Sequence, residues 1–286
     1  MLGVGVDRLL EASREGHAIA AFSTYNLELT QAICRGAEAC SVPVILQAGA
    51  SAFSYAGRDA LAAVAMDAAR RANVEVGVHL DHSRDLAEVK WCLQQGYTSV
   101  MFDGSALSFG DNVTSTRRAA DVAHEAGAWI EGELCGIAGD EDVSDPLAVT
   151  GRMTDPDQVV EFVAATGVDA LAVSVGNVHG IPDRVVDLDM ARLRALKAVS
   201  PVPLVLHGAS GLSDDVLDAA VRCGVAKLNI NSELREAFLS SLAAGLATGP
   251  AHVGYGIEAV FGPARAAVEQ VVTRKIKLCA GERSHP

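Results

Sequence analysis

The chain has no apolar run approaching the ~18 residues that read as a membrane span, no CxxC pair and no excess of basic charge. The first absence argues against a transmembrane helix. The second leaves six cysteines, Cys34, Cys40, Cys92, Cys135, Cys223 and Cys279, scattered without a disulfide or zinc-ribbon spacing. Several fall at helix-core positions, where a free thiol behaves as a small hydrophobe, so a reduced, cytoplasmic protein is expected. The third is quantitative: 23 Lys+Arg against 36 Asp+Glu give a net charge of −13. That balance argues against nucleic acid or an anionic membrane as partner, since both attract basic surface. A small phosphorylated ligand needs only local donors and stays open. The N-terminal MLGVGVDRLLEASREGH reaches charge too early for a secretory signal.

There is also no linker, low-complexity stretch or shift in composition across the 286 residues, and a single domain spanning 1–286 is expected. Short β-rich runs alternate with helical segments. Strands are predicted at Ala18–Phe22, Pro43–Gln47, Glu75–Leu80, Ser99–Phe102, Ala128–Glu133, Ala170–Val175, Pro203–His207 and Val225–Ile230. Between them Leu29, Ala32, Ile33, Ala37 and Cys40 line one helical face, as do Val216, Leu217, Ala220 and Val221. Ser213 before two aspartates and Thr154-Asp-Pro-Asp are helix-start signals. Eight β–α alternations without a Gly-rich turn after the first strand favour a (β/α)8 TIM barrel over an open doubly wound sheet. The tail from Ala251 to about Leu278 reads as an additional C-terminal helix.

Barrel enzymes carry their chemistry on the loops after the strands. The polar residues there are Ser23-Thr-Tyr-Asn26, Asp81-His82, Asp103-Gly-Ser105, Glu131 and Glu133, Asn177-Val-His179-Gly180, His207-Gly-Ala-Ser210-Gly211, and Asn229-Ile-Asn231-Ser232. His82, His179 and His207 thus converge on one rim. Three neutral imidazoles with one position left open make a catalytic zinc site. One such histidine would more simply be a buried hydrogen-bonding residue; three on one rim favour a metal. His17, His124, His252 and His285 read as surface residues, and His79 as an interior, structural one. The Gly-rich segments after the last two strands suit a phosphate, because orphan backbone N–H groups and a helix N-terminus face the anion. The acidic stretch Cys135–Pro146 reads as a lid or a solvated loop.

Seven segments, in order, resemble the class II, metal-dependent ketose-bisphosphate aldolases, tagatose- and fructose-bisphosphate enzymes in particular. They are Ala21-Phe-Ser-Thr-Tyr-Asn-Leu-Glu28, Phe53-Ser-Tyr-Ala-Gly57, His79-Leu-Asp-His82, Val100-Met-Phe-Asp-Gly-Ser105, Gly176-Asn-Val-His-Gly180, Pro203-Leu-Val-Leu-His-Gly-Ala-Ser210 and Lys227-Leu-Asn-Ile-Asn-Ser-Glu233. The resemblance implies a lyase with one catalytic Zn²⁺ on His82, His179 and His207, Glu133 as an additional metal-site carboxylate, Asp103 nearby, and room for a second divalent or monovalent cation. It implies Asp81 as catalytic acid/base and Glu141 as the carboxylate that shuttles the proton on the dihydroxyacetone carbon. Gly180, Gly208, Ala209, Ser210, Asn229, Ile230, Asn231 and Ser232 would hold the dihydroxyacetone phosphate half, with Asn26 also assigned to substrate. A homodimer or homotetramer is implied as well.

The chain departs from the family pattern in places. Glu133-Leu-Cys135 stands where Glu-Leu-Gly is usual, Ala138-Gly139 replaces a glycine pair, and Asn231 stands where aspartate is frequent. No Asp-Pro-Arg segment occurs between Gly249 and Gly262, leaving Arg265 as a substitute for the distal phosphate. Alternatives are an aldolase acting on a different dihydroxyacetone-phosphate-derived ketose, a non-catalytic partner subunit, and a zinc barrel hydrolase. The last lacks its usual His-x-His on the first strand, and a lysine Schiff base has only Lys227, inside the eighth strand.

Overall fold

The computed structural model describes residues 1–137, 152–181, 186–247 and 256–282. Eight parallel strands close into a barrel in sequential order. They are β1 Ile19–Ser23, β2 Val44–Ala48, β3 Val76–Ser83, β4 Ser99–Phe102, β5 Trp129–Glu133, β6 Ala170–Ala172, β7 Leu204–Leu206 and β8 Val225–Ile230. The helices are α1 Val6–Glu15, α2 Leu27–Cys40, α3 Ala50–Ala56, α4 Arg58–Arg71, α5 Leu86–Gln94, α6 Phe109–Glu125, α7 Pro156–Thr166, α8 Met190–Val199, α9 Asp214–Arg222, α10 Ser232–Ala247 and α11 Ile257–Cys279. The TIM barrel read from the alternation is the fold observed, and α11 is the added C-terminal helix. Among the described residues no helix is long and apolar enough to cross a membrane.

Local chemistry explains the elements. Asp155 caps α7 through Asp157 N, with Pro156 at the first helical position where its missing N–H costs nothing. Ser213 caps α9 through Val216 N. The outward strand faces pack Phe22, Leu46, Leu80 and Ile130 against the helix layer, each such burial contributing about 1.5–3 kcal/mol. A buried Lys275 on α11 bonds Asp214 of α9 (3.1 Å) and Glu233 of α10 (2.9 Å), tying the last helix to the two that follow β7 and β8.

Two strands stop short of their sequence-based ends. Beyond β6, Ser174 N donates to Thr154 Oγ1 (2.9 Å) and Val175 N to Asn177 Oδ1 (2.8 Å), so side chains replace ladder partners. β7 likewise ends at Leu206, and Asn177 Nδ2 takes the carbonyl of His207 (3.0 Å). The barrel floor is closed by the N-terminal segment, where Leu2 bridges Val76 and the Val4 carbonyl accepts from Trp129 Nε1 (3.1 Å).

Candidate active site at the barrel mouth

Neighbouring residues on a strand face opposite sides, yet Asp81 and His82 both line the cavity at the barrel mouth. The backbone resolves this. His82 has φ +44°, and the β3–β4 register shifts between Leu80 and Ser83. A bulge of this kind re-aims a side chain at the cost of local strain. Asp81 accepts from Gln47 Nε2 (2.9 Å) and Asn229 Nδ2 (3.3 Å), which fix its carboxylate at the wall.

The three rim histidines meet. The ring centroids of His82 and His207 are 4.5 Å apart, those of His82 and His179 5.1 Å, and those of His179 and His207 6.0 Å. One nitrogen of each lies within 4.8 Å of the others. His82 Nε2 and His207 Nδ1 approach to 2.8 Å. Glycine makes this convergence feasible: Gly208, at φ +66°, packs its backbone on the Val178 carbonyl and so presses the His207 loop against the His179 loop.

Carboxylates complete the site. Glu133 is buried, accepts from Ile137 N through Oε1 (3.0 Å), and has no hydrogen-bond partner on Oε2, which lies 3.6 Å from His82 Nδ1. Burial pushes its carboxyl up to about 7. Asp103 is also buried, but there the desolvation is outweighed by His82, Ser105 and Arg84, which hold it well below the usual carboxylate range. His82, Asp103 and Glu133 form a second set with ligand atoms within 4.8 Å.

Of the phosphate candidates, Asn231 lines the cavity. Ser210 Oγ accepts from Asn231 N (3.1 Å), joining the loop after β7 to the loop that enters α10 at Ser232. Tyr25 OH bonds the Asn231 amide. Asn26 Oδ1 accepts from Leu29 N (2.9 Å) as the cap of α2, and like Gly180, Gly208, Ala209, Ser210, Asn229, Ile230 and Ser232 it is not part of the cavity lining. Arg265 donates to Gln31 Oε1 (2.9 Å), away from the cavity. Among the described residues, the arginine on the cavity wall is Arg84, bonded to Asp103. Glu141, Ala138-Gly139, His252 and His285 lie outside the described residues.

The sequence placed Glu131 at the rim with Glu133 and Lys227 inside the eighth strand; the structure keeps Lys227 there and sets Glu131 in a layer beneath the cavity, where their pairing was not foreseen. Glu131 accepts from His207 Nε2 (2.7 Å) and from Lys227 Nζ (2.8 Å), with all three side chains buried. Burial would raise Glu131, but Lys227 and His207 hold it below the ordinary carboxylate range. His79 is interior, as expected: it bonds Ser99 Oγ (2.8 Å), stacks on Trp129, and burial with the nearby Lys227 charge keeps its basicity low. The missed signal was the period of two, which puts Glu131 and Lys227 on the same inward face as Glu133 and Asn229.

The family model for class II fructose-bisphosphate aldolase matches residues 6–283. The chain belongs to that family. It is a lyase of the class II aldolase type. It is 37% identical over 279 residues, 96% of each chain, to the D-tagatose-1,6-bisphosphate aldolase subunit GatY of Klebsiella oxytoca. Among solved structures, the YdjI aldolase of Escherichia coli K12 superposes with TM-score 0.84 at 30% identity, over 99% of this chain and 98% of that one. A putative fructose-1,6-bisphosphate aldolase of Coccidioides immitis superposes with TM-score 0.87 at 30% identity, over 97% and 96%.

Class II aldolases are zinc-dependent, and the residues of this member fit that ion. The donors are imidazole nitrogens plus a carboxylate oxygen, the mixture zinc prefers. Glu133 Oε2 is a buried acceptor without a hydrogen-bond donor, which a cation would satisfy.

Proposed function

We propose that this chain reversibly cleaves a ketose 1,6-bisphosphate of the tagatose or fructose type to dihydroxyacetone phosphate and glyceraldehyde 3-phosphate, with zinc held by His82, His179 and His207. The observation that carries the reading is the meeting of three imidazoles beside a buried, doubly hydrogen-bonded Asp81. Glu133 stands as the additional carboxylate of the metal site, and the set shared by His82, Asp103 and Glu133 is where a second cation would bind. Bound zinc supplies Lewis-acid stabilisation of the negative charge that builds on the ketose as the carbon–carbon bond breaks, an effect worth several kcal/mol.

The remaining work falls to side chains. Asp81 removes the C4 hydroxyl proton; the O–H electrons become the aldehyde carbonyl while the C3–C4 pair leaves on the dihydroxyacetone half. Gln47 and Asn229 both donate to Asp81, so the carboxylate is oriented before substrate arrives and needs no reorganisation. Glu141 returns a proton to the dihydroxyacetone carbon, and condensation reverses the order. Gly180, Gly208 to Ser210 and Asn229 to Ser232 hold the phosphate, using backbone N–H groups and the N-terminal end of α10.

The relative from Klebsiella oxytoca is named a subunit, so the test uses the purified chain alone. Tagatose and fructose 1,6-bisphosphates, with the corresponding 1-phosphates, are assayed for triose phosphate release while zinc is quantified. Chelator-sensitive release with about one zinc per chain supports the reading. Release of inorganic phosphate without triose phosphate would replace it with a hydrolase.

A further inference from the structure

We propose that the Glu131–Lys227 ion pair is a positioning device that decides which nitrogen of His207 faces the zinc site; it rests on the reading of His207 as a zinc ligand. The pair is fully buried in the barrel interior and neither residue lines the cavity. Barrel interiors are dominated by branched aliphatic residues, and a buried ion pair is often no more stable than a well-packed apolar replacement. Its presence below the site therefore points to a task other than stability. Nucleophilic catalysis is not that task, because Lys227 Nζ is bonded to Glu131 and shielded from the cavity.

The geometry indicates the task. An ionised carboxylate only accepts hydrogen bonds. Glu131 Oε1, 2.7 Å from His207 Nε2, therefore requires the ring proton on Nε2. The lone pair is then on Nδ1, the nitrogen that faces His82 Nε2 (2.8 Å) and, beside it, the Asn229 amide (3.1 Å). Lys227 acts one step further back. It occupies Glu131 Oε2 at 2.8 Å, while the same oxygen lies 3.9 Å from His79 Nε2, an atom with no hydrogen-bond partner. Without the ammonium, the unpaired negative charge would be drawn toward His79 and loosen its hold on His207, a pull that a neutral amide at this position does not feel. Hydrogen-bond partners of metal-binding histidines fix tautomer and ring orientation in this way.

The test compares two neutral replacements, since removing one charge alone leaves an unpaired buried ion that endangers folding. Glu131→Gln/Lys227→Met keeps an oxygen acceptor opposite His207 Nε2; Glu131→Leu/Lys227→Met does not. Zinc affinity is measured by competition with a chromophoric chelator, and the cobalt(II)-loaded proteins are compared by their d–d spectra. Apo-protein melting temperatures report any purely structural effect. The acceptor-free variant should bind zinc about 10- to 100-fold more weakly with an altered cobalt spectrum, and the glutamine variant should stay close to the parent. Equal affinities and spectra for both would overturn the proposal. His207→Ala is measured alongside. If it keeps zinc, the ligand assignment fails and this inference with it; if it loses zinc while the acceptor-free variant binds normally, only the positioning role falls.

Discussion

Gly208 packs on the backbone of Val178 so closely that a Cβ at position 208 would overlap the Val178 carbonyl oxygen. The contact brings the loops bearing His179 and His207 together, and the positive φ of Gly208 adds its own preference for glycine. Gly208→Ala should therefore separate the two histidines. The expected outcome is a lower melting temperature together with a sub-stoichiometric zinc content, measured on the purified variant. Full zinc loading at the parent's melting temperature would show that the loops have slack.

Metal binding and proton transfer are separable by position. His207→Ala should lose zinc and cleavage together. Asp81→Asn keeps the shape of the wall and all three imidazoles, so zinc content should be unchanged while turnover falls by about 10²–10⁴-fold, the usual contribution of a positioned acid–base group. Metal analysis and kcat on the same preparations check both.

Acid stability should depend on Glu75. Arg8 donates to both of its oxygens and Val4 N to one, and these bonds hold the carboxyl below its ordinary value. A carboxyl depressed in the folded state stabilises at pH values above its unfolded pKa, and the gain fades as pH falls through the folded one. Glu75→Gln should then melt below the parent at pH 7, and the two melting curves should converge under acid conditions. The pair is partly exposed, so the difference should be modest and shrink with salt.

The thiols should be slow to react. Burial pushes Cys34 up to about 11 and Cys279 up to about 12, and Cys92 higher still. At pH 8 a thiol titrating near 11 is roughly one part in a thousand thiolate. Native protein treated with a disulfide reagent at that pH should leave these three cysteines unmodified, with denaturant releasing them; mass spectrometry of the digested adduct reads the result by residue.

Much of the molecule could be read from the chain alone. Eight strands were legible because each pairs with its sequence neighbour, so alternation of pattern and order of strands in space are the same information. The rim residues Asp81, His82, His179 and His207 were legible because strand ends in such a barrel share one face. Helix starts at Ser213 and Asp155 were local chemistry.

What the chain alone did not disclose depends on contacts across the barrel. Glu131 and Lys227 are 96 positions apart; the period of two turns each inward, but that they pair with each other beneath His207 follows only from closure of the barrel. That Asn26 caps α2 through its Oδ1 depends on the direction the chain takes after β1. His82 joins Asp81 on one wall only because its backbone turns left-handed at a register shift against β4. Periodicity reports which face a residue takes on an ideal element. Partners 100 residues away, and departures from the ideal, follow from how the elements pack.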